Sequence, residues 1–220
     1  MGLVKRLFSH RQRPQVYTRQ EITALEEGII QRFGNFHEVF HEIVSPDIHV
    51  DIAVIEPAPQ REYFTLVTMG MGAAPMHLPK ELRKQNLDRA ELVVTLPASW
   101  PVTNTHENWY WPMRWLKILA RLPLQENSWL GFGHTVPAGE PVAENTQFAC
   151  MLLDYPRRYG KGAYRMELPG KNVVNFYQII PLYPEEMQEK LERGAEYILE
   201  KLQSVPYDLI TVGRENVSQA

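Results

Sequence analysis

Cysteine is almost absent: Cys150 stands alone in 220 residues, so no intrachain disulfide framework can form, which suits a reducing compartment. Long apolar runs are missing as well. The longest, such as Phe148 to Leu153, fall far short of the roughly 20 residues that span a bilayer. Leu3, Val4, Leu7 and Phe8 are scattered and do not make the continuous segment of a secretory signal. Arg6 occupies the position where a myristoylation signal after Gly2 requires Ser or Thr. Cytoplasm is the expected compartment. There is no G-x-S-x-G for a serine nucleophile and no G-x-x-x-x-G-K-[ST] for nucleoside triphosphates. Gly70-Met71-Gly72 and Gly131-Phe132-Gly133 lack the third glycine of a dinucleotide loop. Cys150 sits inside the apolar run FACMLL, the setting of a buried small side chain and not of an activated thiolate.

What is present is ordinary for a globular protein: 44% hydrophobic and 22% charged residues, with ten Tyr, eight Phe and five Trp. A chain of this length buries roughly 70% of its unfolded surface, so core size is not limiting. The net charge of −3 is unevenly spread, because Lys5, Arg6, Arg11, Arg13 and Arg19 all precede the first acid, Glu21. An acidic body does not favour a phosphate backbone, so no nucleic acid is expected as partner. Residues 1–17 read as a basic, solvated tail and 18–220 as one domain.

Thr18 and Glu21 have capping-box spacing, and Ile22, Leu25, Ile29, Ile30 and Phe33 then recur at helical intervals up to Gly34-Asn35. The period then changes. Segments 36–44 and 48–56 read as a β-hairpin around Ser45-Pro46-Asp47, and 63–69 and 90–96 as buried strands. Between them a Gly, Ala, Pro and Met loop leads to a short polar helix near 81–85. WYWPMRWLKILAR predicts a helix over 109–121 with Trp111, Trp115, Ile118 and Leu119 on one face and Pro112 in its first turn. Three further strands are expected at 129–136, 147–153 and 172–180. Pro184 opens a last helix striped by Met187, Leu191, Ala195, Ile198, Leu199 and Leu202, with pairs Glu186-Lys190 and Glu189-Arg193. Strands and helices intermix without a linker, which predicts a single α+β domain, a mixed central β-sheet flanked by helices.

His37-Glu38-Val39-Phe40-His41 matches H-E-x-x-H, the zinc-hydrolase pattern. That chemistry requires a helix, so that two imidazoles four apart grip the metal and the Glu polarises its water. In the expected strand His37 and His41 share one face and Glu38 points to the other, so the match is read as fortuitous. A metal-dependent hydrolase on His37, Glu38 and His41, with His49, Asp51 or Glu56 as further ligands, stays as the alternative. No catalytic residue, cofactor or metal is assigned. Asp51, between Val50 and Ile52, is expected to be a structural anchor that takes hydrogen bonds from loop amides near Gly70. Trp115 and Trp129 are expected in the core. Met71, Met76 and His77 in the loop, and Trp109 and Tyr110 at the helix entrance, are the candidate partner contacts.

Several blocks in order, HVDIAVIEP, LVTMGM, ELVVTLP with Trp100, WPMRWLKILARLP, LGFGHTV, FACMLLDYP, VNFYQIIPLYPEEM and GAEYILEKL, resemble the suppressor-of-fused family. The likeness covers roughly residues 36–202. It implies an α/β or α+β domain without established catalytic residues or cofactor. Animal members of that family carry a second lobe and clamp a transcription-factor peptide as an extended strand between lobes. Their tyrosine and aspartate contacts have no counterpart here, where Pro75, Met76 and His77 stand. Bacterial members resemble proteins proposed as immunity factors, so the resemblance implies a non-enzymatic protein-binding module, with a toxin as one possible partner. A structural part in a homo-oligomer is a third reading.

Overall fold

The computed structural model describes residues 14–219; the basic residues Lys5 to Arg13 of the expected tail lie outside them. Within the described part, Gln15 already bridges Ile48 and Tyr17 is buried. The body is thus engaged just before the first helix.

Helix α1 spans Arg19–Phe33 and starts with the capping box, Thr18 Oγ1 accepting from Glu21 N and Glu21 accepting from Thr18 N. The strands are β1 (Glu38–Phe40), β2 (Asp51–Ile55), β3 (Tyr63–Met69), β4 (Ala90–Pro97), β5 (Thr135–Pro137), β6 (Cys150–Asp154), β7 (Arg165–Glu167) and β8 (Val173–Leu182). They form one sheet in the order β1-β2-β3-β4-β8-β6-β5, with β7 pairing β8 off that path. The β4–β8 pair is parallel and the other pairs are antiparallel. The sheet is therefore mixed, as expected.

Alternation along the strands sorts the core onto two faces. On one face Ile52, Val54, Leu66, Leu92, Val94, Met151, Leu153 and Ile179 pack with Trp111, Trp115 and Leu119 of α2 (Glu107–Gln125). On the other, Ala53, Ile55, Val67, Val93 and Phe176 lie under Leu25, Ile29 and Phe33 of α1. Further along that face, Cys150, Leu152, Ile180 and Leu182 lie under Ile198, Leu199 and Leu202 of α4 (Ala195–Leu202).

A row of buried polar residues separates these two clusters: Thr65, Thr95, Gln178 and Asp154 on four adjacent strands. Burial of such groups is costly unless they are bonded. Gln178 Nε2 donates to Thr95 Oγ1 at 3.0 Å and to the Asp208 carbonyl at 2.6 Å, and Arg157 Nε donates to Asp154 at 2.8 Å. Burial raises the Asp154 carboxyl above its usual range, and the Arg157 bond opposes that. Residues 155–164 and 207–210 thus cover a polar seam.

Several elements differ from expectation. The final helix is two, α3 (Pro184–Arg193) and α4, because Gly194 takes φ 93°, outside the right-handed helical region. The predicted pairs, both within α3, are absent because their side chains take other partners. Glu186 is buried on Arg214, Glu189 pairs with Lys201, Arg193 lies over the Tyr197 ring, and Leu191 is 61% exposed. The strand expected at 129–136 is reduced to Thr135–Pro137, since Gly133 (φ 77°) turns the chain just before it. The helix at 81–85 is a 3-10 turn, Lys80–Leu82, and Ile118 faces outward from α2. Trp115 is buried, while Trp129 is only partly so.

Candidate functional site

The β1–β2 connection, residues 41–50, is the most heavily bonded loop against α2. Asp51, at the start of β2, accepts His41 Nδ1 at 3.0 Å, His49 Nε2 at 3.0 Å and the backbone N–H of Glu42 at 2.9 Å. Glu42 in turn accepts the Ser45 hydroxyl at 2.8 Å, the Val50 N–H at 3.2 Å and Arg121 Nη2 at 2.6 Å. Arg121 also reaches Asp47 at 3.1 Å and the Ile48 carbonyl at 3.1 Å, so one guanidinium on α2 fixes both limbs of the loop.

Ser45, His49 and Asp51 form a hydrogen-bonded series, Ser45 Oγ to His49 Nδ1 at 2.7 Å and His49 Nε2 to Asp51 at 3.0 Å. A nucleophile would need the Ser45 proton to be available to the imidazole. Here the hydroxyl is shared between His49 and Glu42, which lies 2.8 Å from it and is held in place by Arg121. The arrangement is a clamp on the loop. What the clamp presents is Ile43, 96% exposed, and Val44, 76% exposed, side by side at the surface.

The anchor role expected for Asp51 takes a different form. Its amide donor is Glu42, not the loop at Gly70. The Gly70 loop is held by Glu91 of β4, whose fully buried carboxylate accepts Gly70 N at 2.9 Å, Gly72 N at 3.0 Å and Met71 N at 3.3 Å. The hydroxyls of Thr68 and Tyr17 complete the shell at 2.5 and 2.8 Å. Burial raises the Glu91 carboxyl, and the bonds from Thr68, Gly70, Gly72 and Tyr17 oppose the rise. Gly70 (φ 145°) is required there, because an added Cβ would meet the His49 carbonyl at 1.8 Å.

The same packing removes two of the expected partner contacts. Met71 and Met76 are buried in the core beneath this loop, where a flexible thioether fills space without meeting solvent. His77 is exposed. Trp109 and Tyr110 are half-buried against the core; Trp109 meets the Trp100 ring edge-on at 5.3 Å and its carbonyl accepts Trp100 Nε1 at 3.1 Å.

The H-E-x-x-H segment is extended. Glu38, Val39 and Phe40 pair with Val54, Ala53 and Ile52, and His41 leaves the strand toward Asp51. Its two imidazoles therefore do not share the helical face that the metal chemistry requires. Among the described residues no three His, Cys, Asp or Glu side chains are placed to hold one metal ion. No helix among them is long and apolar enough to cross a membrane. Cys150 is fully buried and its thiol is pushed up to about 12 by that burial.

Beside the start of α2 the residues 105–108 and 140–144 face one another across a groove. Arg114 ties its walls together, donating to Glu107 at 2.9 Å and to the Val142 carbonyl at 2.9 Å.

A fold with this sheet order, and with α2 and the α1/α4 pair on opposite faces, can be compared with known proteins. A family model described as Suppressor of fused protein (SUFU) matches residues 46–215. The chain belongs to the suppressor-of-fused family. Among solved structures it is similar to a SUFU homologue from Neisseria gonorrhoeae FA 1090, with a TM-score of 0.64 and 19% identity over 90% of this chain and 96% of that one. It is also similar to a chain of the Sufu-Fu complex, with a TM-score of 0.64 and 14% identity over 94% of each. Drosophila Suppressor of Fused gives a TM-score of 0.61 at 14% identity, 91% of this chain covering 52% of that protein, so this chain spans about half its length. No curated protein matches the chain in sequence.

Proposed function

We propose that the chain is a non-enzymatic protein-binding module of the cytoplasm, working by contact, and that its partner is a bacterial toxin which it neutralises. The observation that carries this reading is the Ile43-Val44 pair, almost wholly exposed on a loop held rigid by Asp51, Glu42 and Arg121. Apolar side chains displayed on a pre-ordered loop lose little entropy on docking, which is the economy of a binding hot spot. The relative solved as the Sufu-Fu complex supports the same reading, since there a protein of this fold is found with a protein partner. His77, Trp109 and Tyr110 are the remaining candidates for the contact surface. An inhibitory complex of ordinary size buries about 1,200 to 2,000 Å² in total, which a domain of this size can supply.

The test is purification from the native host with wild type and with an Ile43→Asp/Val44→Asp variant, followed by rescue of growth against the recovered protein. A stoichiometric partner that the wild type retains and the variant loses, and whose toxicity the wild type relieves, is the expected result. Recovery of no partner together with a hydrolytic activity lost in Glu38→Gln would replace it with the hydrolase reading.

A further inference from the structure

Three polar contacts in the β1–β2 loop run in series: Glu42 Oε2 to Ser45 Oγ at 2.8 Å, Ser45 Oγ to His49 Nδ1 at 2.7 Å, and His49 Nε2 to Asp51 Oδ1 at 3.0 Å. Each needs one proton between its two heavy atoms, because lone pairs held that close repel. Both carboxylates act as acceptors, since Arg121 Nη2 and the Val50 N–H already donate to Glu42 and the Glu42 N–H donates to Asp51. The Ser45 hydroxyl supplies one proton and a neutral imidazole supplies one more, so two protons face three contacts. A proton on Nε2 alone forces the hydroxyl to choose between Glu42 and His49. A proton on Nδ1 alone leaves Nε2 bare against a carboxylate. The imidazolium completes the series, with Nδ1 donating to Ser45, the hydroxyl to Glu42 and Nε2 to Asp51.

The charges facing His49 point the same way. Glu42, Asp47 and Asp51 stand around it, and from α2 the one guanidinium of Arg121 serves both Glu42 and Asp47. His41 Nδ1 meets the other oxygen of Asp51, and that ring is 75% exposed, so water serves its second nitrogen in either protonation state. Tyr17, Met69 and Gly70 line the hollow beside His49 and Asp51. The Tyr17 hydroxyl is bonded to Glu91 of β4, which also takes the Gly70 N–H, so neither offers His49 a positive charge. The unmatched potential at the loop is negative. Among the described residues no three His, Cys, Asp or Glu side chains are placed to hold one metal ion, and the cation that fits this series is a proton.

We propose that a proton on His49 closes the β1–β2 loop and that the loop opens as this proton leaves, so that pH sets the order of the surface carrying Ile43 and Val44. Once the imidazole is neutral, one of the two contacts of Ser45 becomes a repulsion between lone pairs, and the hydroxyl can no longer hold Glu42 and His49 together. The part released is 43–46, because Arg121 keeps Asp47 and the Ile48 carbonyl on one side and Glu42 on the other. The closed loop binds one proton more than the open one, so closure is complete on the acid side of the imidazole range and is lost as pH rises through it. The effect on recognition rests on the reading of Ile43 and Val44 as the partner contact; the proton count does not.

The test is NMR on the full chain at about pH 5.5 and about pH 8, either side of the imidazole range. Ring-nitrogen spectra report the protonation of His49, and carbon relaxation at Cα, which amide exchange does not disturb, reports the order of Ile43, Val44 and Ser45. Both His49 nitrogens should be protonated at the lower pH and one at the higher, while the order parameters of the three residues fall from about 0.85 to below about 0.6 and those of β3 and β4 hold. Ser45→Ala removes the shared hydroxyl and the conflict over its proton, so its loop should have the same order at both pH values. His41→Gln should keep the wild-type response, which separates His49 from its exposed neighbour. A neutral His49 at the lower pH, equal order at both, or the full wild-type response in Ser45→Ala would overturn the proposal. Should Ser45→Ala leave the loop open throughout, the ring-nitrogen spectra of the wild type decide alone. Partner capture is a separate result: success with a loop that ignores pH removes only the switch, and a pH-dependent loop that captures nothing keeps the switch and removes the contact reading.

Discussion

Tyr17 and Glu91 are joined across 74 residues of sequence by a hydrogen bond of 2.8 Å from the phenol to a fully buried carboxylate. The bond ties the segment before α1 to the strand at the middle of the sheet, and the same carboxylate organises the Gly70 loop. Loss of the phenol leaves four donors on the carboxylate, so Tyr17→Phe should cost about 1–3 kcal/mol in urea unfolding. For a domain of this size that lowers the melting temperature by roughly 2–4 °C per kcal/mol. Glu91→Gln should cost more, because its amide NH₂ is forced against N–H and O–H donors on one side.

Glu186 and Arg214 form a second buried pair, at 2.6 and 2.8 Å, which fastens the C-terminal segment to the start of α3. The N–H groups of Tyr183 and Val217 complete the acceptor shell of Glu186. Arg214→Met strands a carboxylate that is fully buried, and the expected loss is about 3–5 kcal/mol. Replacing both partners by apolar residues should recover part of it. A double-mutant cycle read by chemical unfolding checks both statements.

Burial holds the Cys150 thiol near 12 against an ordinary value of 9.0. Because the folded value is the higher one, the stability tied to this group is complete below about pH 9 and is lost as pH rises through about 12. At pH 8 the native protein should therefore resist a thiol reagent such as DTNB, and labelling should proceed at the rate at which the structure opens. Rapid labelling without denaturant would show the thiol to be accessible.

These anchors also mark the limit of what the sequence discloses. The capping box at Thr18 and Glu21, the strand at 63–69 and the α2 face of Trp111, Trp115 and Leu119 are local patterns, legible because the residues that decide them lie within a turn or a strand. Asp51 and Glu91 carry the same local signal, a carboxylate in an apolar strand. Which of them reaches the Gly70 amides depends on the β3–β4 register, and the strand pattern alone does not contain it. The apolar stripe from Met187 to Leu202 concealed the break at Gly194 because its spacing continues through the glycine. Of the candidate contact surface, Trp109 and Tyr110 were indicated by aromatic content. Ile43 and Val44 were not, since an apolar pair beside a predicted strand reads as part of that strand until the structure shows only Glu38–Phe40 to be paired.

Arg121 touches neither Ile43 nor Val44 through its hydrogen bonds, yet it holds both limbs of their loop through Glu42, Asp47 and the Ile48 carbonyl. If the loop binds because it is already ordered, then Arg121→Met should weaken partner binding by loosening it, although the contact residues are unchanged. The substitution keeps an apolar stem on α2 and removes the charge, so Glu42 turns toward solvent and the loop amides of 42–50 lose their shared anchor. Amide hydrogen exchange should accelerate in 42–50 and stay unchanged in β3, β4 and β8. Affinity should fall about tenfold, mainly through faster dissociation. An Ile43→Asp/Val44→Asp variant makes the opposite combination, with the exchange pattern retained and binding lost. Arg121→Met that accelerates exchange and leaves affinity intact would show that the partner orders the loop itself, and the rigidity of the clamp would then have no part in recognition.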